Sequence, residues 1–182
     1  MVPSFVTGKE VISASGGRLS VEPGVADMMA SAVSAAIRSY CGWHVAPIVE
    51  ETMTLDYDGG GILTLPTLRL EEVISLTVDG QDIPQPEWSH TGDIKLGRRP
   101  SKWRGVKAHV RHGYDLAQVA DLKQVALQAA LVGLASPTGV VRESAGQVSI
   151  EFARTGVGVA GGMTLLERDM LVLDAYRLPR RA

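Results

Sequence analysis

The stretch GVADMMASAVSAAIRSYCGWHVAP, residues 24–47, constrains the fold most, because it is the first long segment with a helical period. Ala26, Met29, Ala30, Val33, Ile37, Tyr40 and Cys41 recur at three- and four-residue steps, and Asp27, Ser31, Ser34, Arg38 and Ser39 occupy the other side. Such a helix must bury its stripe. Alanine and serine dominate the middle, so another helix can approach closely. Gly42 stands where a left-handed cap is expected, and Pro47 marks a non-helical run.

After Pro47 the period changes from 3.6 to 2. In ETMTLDYDGGGILTLP, Met53 and Leu55 alternate with Thr52 and Thr54, and the Asp-Gly-Gly-Gly run predicts a hairpin returning through 62–65. VISLTVDGQDIP repeats the device with Asp79-Gly80 at the turn, and Val106, Ala108 and Val110 share one face of a later strand. Residues 48–112 therefore read as a β-rich insert.

Helical character returns at Ala120. Leu122, Val125, Ala126, Ala129 and Val132 or Gly133 form its stripe, Asp121 suits the positive end of the helix dipole, and Pro137 stops the run. Its small face matches that of the first helix, so the two are expected to pack together. AGQVSIEF predicts one strand over 147–153, and Thr164 to Glu167 spells a capping box for a last helix. That helix has more apolar residues than one stripe can hold: Leu165, Leu166, Met170, Leu171, Val172, Leu173 and Tyr176. The predicted class is α+β, with helices near 21–41, 119–135 and 164–177. Residues 20–179 are expected to form one domain, 1–19 a flexible arm with a short helical turn at the Thr7–Glu10 capping box, and 180–182 a basic tail. The arm either orders on a neighbouring subunit or frays.

A chain of 182 residues, 45% hydrophobic, suits one well-buried core. A net charge of −2 argues against a general nucleic-acid binder and gives no reason to invoke a membrane. No run reaches the roughly 18 apolar residues of a membrane span, and no secretory signal is legible, so the chain is expected to be soluble. Cys41, alone and on the apolar stripe, reads as core rather than nucleophile. Residues 156–161 spell G-x-G-x-x-G, but no second parallel strand with an acid follows as a dinucleotide site requires. His44, His90, His109 and His112 are scattered, and 109 and 112 point to opposite faces of a strand. No catalytic residue, metal site or cofactor is assigned.

One feature stands above background. From Glu50 to Asp93 there are ten acids and one base, a net of −9, whereas Lys95 to His112 carries seven bases and no acid, a net of +7. The two halves either neutralise each other within one sheet or lie on opposite flanks, acidic side of one copy to basic side of the next. A third use is a phosphate-facing patch including Trp103.

The segments IRSYCGWHVAP, WRGVKAHVRHGYD, ADLKQVALQAALVGLASPTGVVRESAGQVSIEF and LLERDMLVLDAYRLP, in this order, resemble the head-to-tail connector (adaptor) proteins of tailed bacteriophages over residues 20–179. The chain departs from that pattern in its Gly/Ser-rich arm and in Ala120, where a proline often opens the second helix. The resemblance implies a non-enzymatic virion protein of the neck, between capsid and tail, assembled in the host cytoplasm. It implies a dodecameric ring beneath the portal protein that extends the DNA channel and offers a docking surface to the next neck, stopper or tail protein. DNA would pass without sequence-specific binding. Portal contact would fall on Leu173, Tyr176, Arg177, Leu178, Arg180 and Arg181, and subunit contact on Glu71, Glu72, Arg98, Arg99, Lys102 and Arg104. The alternative is a nucleic-acid-binding module using residues 95–111.

Overall fold

The computed structural model describes residues 2–57, 60–135, 142–145, 148–151 and 165–179. The class is α+β. The chain divides into two compact units, residues 1–40 with 120–175, and residues 41–119 with the C-terminal segment from Tyr176. One domain was expected over 20–179. The β insert stands as a unit because it closes a core of its own.

The helical unit holds α1 (Gly8–Ala14), α2 (Pro23–Cys41), α3 (Ala120–Ala135), the strands β7 (Arg142–Ala145) and β8 (Val148–Glu151), and α4 (Glu167–Leu173). On α2 the expected stripe is present: Ala26, Ala30, Val33, Ile37 and Cys41 are buried, and Gly42 takes φ 80° just beyond it. Ser34, assigned to the polar side, is buried as well. Its hydroxyl donates to the Ala30 carbonyl at 2.7 Å and accepts the Phe5 N–H at 3.0 Å. Residues 5–14 thus depart from the expected flexible arm: Phe5, Val6 and Val11 are buried, and the Arg38 guanidinium lies 4.5 Å from the Phe5 ring centroid. The predicted Thr7–Glu10 capping box forms and opens α1.

On α3 the expected stripe is buried, with Gly133 rather than Val132 continuing it. α1 and α4 lie close against it. The strand expected over 147–153 is present as β8, and β7 pairs with it antiparallel, Ala145 facing Val148. Pro137 and Thr164 lie outside the described residues. The described start of α4 has Leu166 as N-cap, whose N–H donates to the Asp169 carboxylate at 3.0 Å.

The second unit holds β1 (Val49–Leu55), β2 (Ile62–Thr64), β3 (Leu70–Val78), β4 (Gln81–Asp82), β5 (Asp93–Lys95) and β6 (Val106–His112). One antiparallel sheet runs β1-β6-β3-β4, and β2 pairs with β5 in a second, two-stranded one. The hairpin expected between β1 and β2 does not form. β1 pairs along its whole length with β6, Val49 opposite His112 through Leu55 opposite Val106, a ladder far longer than the three residues of β2 could offer. The Asp79-Gly80 hairpin forms as expected, with φ 53° and 81° and Val78 facing Gln81. Met53, Leu70, Leu76, Val78, Val106, Ala108 and Val110 from the large sheet meet Leu63, Leu65, Ile94 and Leu96 in one buried cluster. Each such side chain contributes about 1.5–3 kcal/mol when fully buried.

Candidate assembly surfaces

Strand β6 places the basic half of the insert between two acidic neighbours. Its residues alternate: Val106, Ala108, Val110 and His112 are buried, while Lys107 and Arg111 are exposed. Arg111 faces Glu50 on β1 and Glu72 on β3, and its guanidinium lies 3.3 Å from the Glu72 carboxylate. Glu71 pairs with its own near neighbour Arg69 at 2.7 Å, and Lys95 with Glu87 at 3.1 Å. Exposed pairs of this kind contribute roughly 0–1 kcal/mol each, so their main effect is on the field. At Arg111, Glu50 and Glu72 the opposite charges read along the sequence are thus interleaved in the large sheet, and Lys95 pairs with Glu87 outside it.

The basic turn after β5 is held by acids of neighbouring turns. The Asp79 carboxylate accepts the Ser101 N–H at 2.8 Å, and this bond, with help from Lys102 and Arg98, holds its pKa below the usual carboxylate range. Arg98 donates to the Gln81 side chain, and the Arg104 N–H donates to Asp56 at 2.6 Å with φ 56° at that residue. Arg98, Arg99, Lys102 and Arg104 are exposed, and Trp103 among them is 79% exposed. Four of the six expected subunit-contact residues therefore share one turn, whereas Glu71 and Glu72 lie on β3.

The C-terminal segment is anchored by aromatic residues of its own unit. The Trp43 indole N–H donates to the Tyr176 carbonyl at 2.6 Å, and the Leu178 N–H donates to the Cys41 carbonyl at 2.9 Å. Tyr114 stands edge-on to Trp43 at 5.9 Å and to Tyr176 at 5.7 Å. Of the residues expected to meet a portal, Tyr176, Arg177 and Leu178 are half-buried. Leu173, also expected to meet a portal, is fully buried, and Leu171 two positions before it is 76% exposed. Arg180 and Arg181 lie outside the described residues. The clamp made by Trp43 and Tyr114 left no mark in the linear pattern, because its partner lies 133 residues away from Trp43.

The histidines show no convergence on a reactive centre. His112 is buried against Trp43 and His44, and its Nε2 lies 3.2 Å from the Glu51 carboxylate. Burial pushes its pKa below the usual imidazole value despite Glu51, so this contact is a neutral N–H donor to a carboxylate. Among the described residues no three of His, Cys, Asp and Glu come together as a metal-holding group, and no helix is long and apolar enough to cross a membrane. The G-x-G-x-x-G run at 156–161 lies outside them.

No protein-family model matches the chain, and no curated protein matches it either. Solved structures do. The fold is similar to a chain in the neck of a native GTA particle (a phage-like gene transfer agent) computed with C12 symmetry, at 17% identity and TM-score 0.59, covering 100% of this chain and 97% of that one. It is likewise similar to a chain in the neck of an empty GTA particle computed with C6 symmetry, at 15% identity and TM-score 0.60, covering 100% and 94%. At these identities the likeness establishes a shared fold along the whole length, in both units.

Proposed function

We propose that this chain is a structural neck protein of a phage-like virion, a head-to-tail connector whose copies form a twelvefold ring below the portal. The observation that carries the reading is the end-to-end fold likeness to neck chains of particles computed with C12 and C6 symmetry. In this reading the ring extends the DNA channel and offers a surface to the next neck or tail protein. Assembly takes place in the host cytoplasm, and the work is binding, without catalysis or cofactor. Many small copy-to-copy contacts sum to an avid collar once the ring closes. Tyr176, Arg177 and Leu178, with Arg180 and Arg181, form the proposed portal contact. Purified protein mixed with a candidate portal protein and imaged in negative stain should show a collar of twelve copies. Monomers alone, with and without portal, would overturn the proposal.

One observation favours a second reading, a nucleic-acid contact at the basic turn: Trp103 is exposed among four exposed bases. Phosphate contacts at Arg98, Arg99, Lys102 and Arg104 predict DNA affinity that falls steeply between about 50 and 200 mM salt. A connector should show no such binding.

A further inference from the structure

Strand β1 ends the large sheet, and among the described residues it pairs on one side only, with β6. In an antiparallel ladder an edge strand turns every second N–H and C=O outward, so β1 leaves a row of backbone groups unpaired along its seven residues. Sheets ordinarily blunt such an edge with proline, lysine, a bulge or a covering segment. The side of β3 away from β6 is blunted in this way. Its register shifts between Leu70 and Glu72 and again between Val73 and Ser75, and β4 pairs with its last two residues. On β1 the register is unbroken from Val49 to Leu55, there is neither proline nor lysine, and Glu50, Glu51, Thr52 and Thr54 are exposed.

What this edge carries instead is two carboxylates at one end, one on each face. Glu50 is on the outer face, where Arg111 opposite it pairs with Glu72, and Glu50 has no ion-pair partner among the described residues. Glu51 shares the core face with Met53, lies 3.2 Å from His112 and still leaves its side chain 51% exposed. On that core face Val49 and Leu55 are only half-buried, so the apolar layer stays open along β1. A strand laid beside β1 would take up the free backbone groups and cover Val49 and Leu55. The two acids select which strand that is, because a like charge placed opposite is penalised and a cation opposite is favoured.

We propose that the free edge of β1 is a strand-addition site for an extended segment of a partner protein, alternating apolar and polar residues and carrying lysine or arginine opposite Glu50 and Glu51. The inference goes beyond the neck reading and does not depend on it. A helix cannot satisfy the outward N–H groups, and the acids repel a phosphate backbone. Nor does β1 of a second copy fit, since residues 49–57 contain no base to meet the carboxylates.

The test titrates the full, isotope-labelled chain with acetylated and amidated nine-residue peptides and follows amide hydrogen exchange by NMR. The first peptide alternates valine with threonine and ends in two lysines, the second has glutamates in place of those lysines, and the third is the lysine peptide N-methylated throughout. The expected result is that the lysine peptide slows exchange at the β1 amides that β6 leaves free. The glutamate peptide should bind about tenfold more weakly, the N-methylated one should give no protection, and Glu50→Lys, at an exposed side chain, should remove the preference for lysine. If Glu50→Lys disturbs the fold, the three peptides on the unaltered chain decide. No protection by the lysine peptide, equal protection by the glutamate or N-methylated peptide, or an unchanged preference in folded Glu50→Lys overturns the inference. Each of these leaves the ring reading standing, which fails separately if no collar forms on portal.

Discussion

The Glu10 carboxylate lies 2.6 Å from the Lys123 ammonium, joining the short helix α1 to α3 across 113 residues of sequence. The lysine, with the Thr7 N–H, holds the Glu10 pKa at about 2. Because the folded value is depressed, the contribution is complete above the ordinary carboxylate value of 4.5 and is lost as pH falls toward 2. Both groups are about two-fifths exposed, so screening limits the pair to about 0.5–1 kcal/mol. Glu10→Gln should cost that much in urea unfolding at pH 7, and the difference from the unaltered chain should shrink below pH 4.5. A difference independent of pH would show that the ion pair contributes nothing.

Much of the α+β class was legible because both periods are strong. The stripe Ala26, Ala30, Val33, Ile37 and the alternation Val106, Ala108, Val110 each declare an element and its buried face. Pairing was not legible in the same way. The Asp-Gly-Gly-Gly run invites a local hairpin, yet β1 finds seven partners on β6, fifty residues on, and tertiary register overrides the local turn signal. The N-terminal segment was hard to read for a related reason: a seven-residue helix has almost no stability alone, and burial of Phe5, Val6 and Val11, with contacts from Ser34, Asp27, Arg38 and Lys123, holds it. Among the candidate contacts, sequence order could name the basic turn at Arg98–Arg104. It could not show that Leu173 is used up in the core.

Gly8 sits against the backbone of α2. A Cβ there would lie 2.6 Å from the Asp27 nitrogen and 2.9 Å from the Ala26 carbonyl carbon, while the Gly8 N–H donates to the Asp27 carboxylate at 2.7 Å. Alanine is the better helix former by about 1 kcal/mol, but the clash is with backbone that cannot step aside. Gly8→Ala should therefore destabilise by about 1–3 kcal/mol. Gly24, with open space around it, serves as the contrast, and Gly24→Ala should be neutral or stabilise by up to about 1 kcal/mol. Thermal unfolding of the two variants checks the sign. Equal effects would mean that α1 does not lie against Asp27.

Leu70 and Trp103 separate folding from binding within the second unit. Leu70 is fully buried in its core, so Leu70→Ala should cost about 2–5 kcal/mol through lost transfer energy and a cavity. Trp103 is 79% exposed, and Trp103→Ala should change stability by less than about 0.5 kcal/mol. Any defect of Trp103→Ala in DNA binding or assembly would then report on contact rather than folding. A large stability loss in Trp103→Ala would place that ring in the core instead.

His112 gives the second unit a pH dependence near neutrality. Burial is the leading cause of its lowered pKa, opposed by Glu51 through a hydrogen bond and its charge. A folded value below the unfolded 6.5 means that the unfolded chain binds the proton more readily. Stability is then greatest above pH 6.5 and declines as pH falls below it, down to the folded pKa. Urea unfolding followed by tryptophan fluorescence should show this decline between pH 7.5 and 5.5, and Trp43, whose ring lies 6.4 Å from the imidazole, is placed to report it. His112→Gln keeps a polar group near Thr67 and Glu51 but cannot titrate, so it should flatten the dependence while costing about 1–3 kcal/mol at pH 7.5. Since burial and Glu51 act in opposite directions, Glu51→Gln separates them: without the carboxylate the imidazole is still harder to protonate, and the decline should steepen. A steeper profile in Glu51→Gln and a flat one in His112→Gln would identify this imidazole as the titrating group, whereas unchanged profiles in both would assign the dependence to another residue.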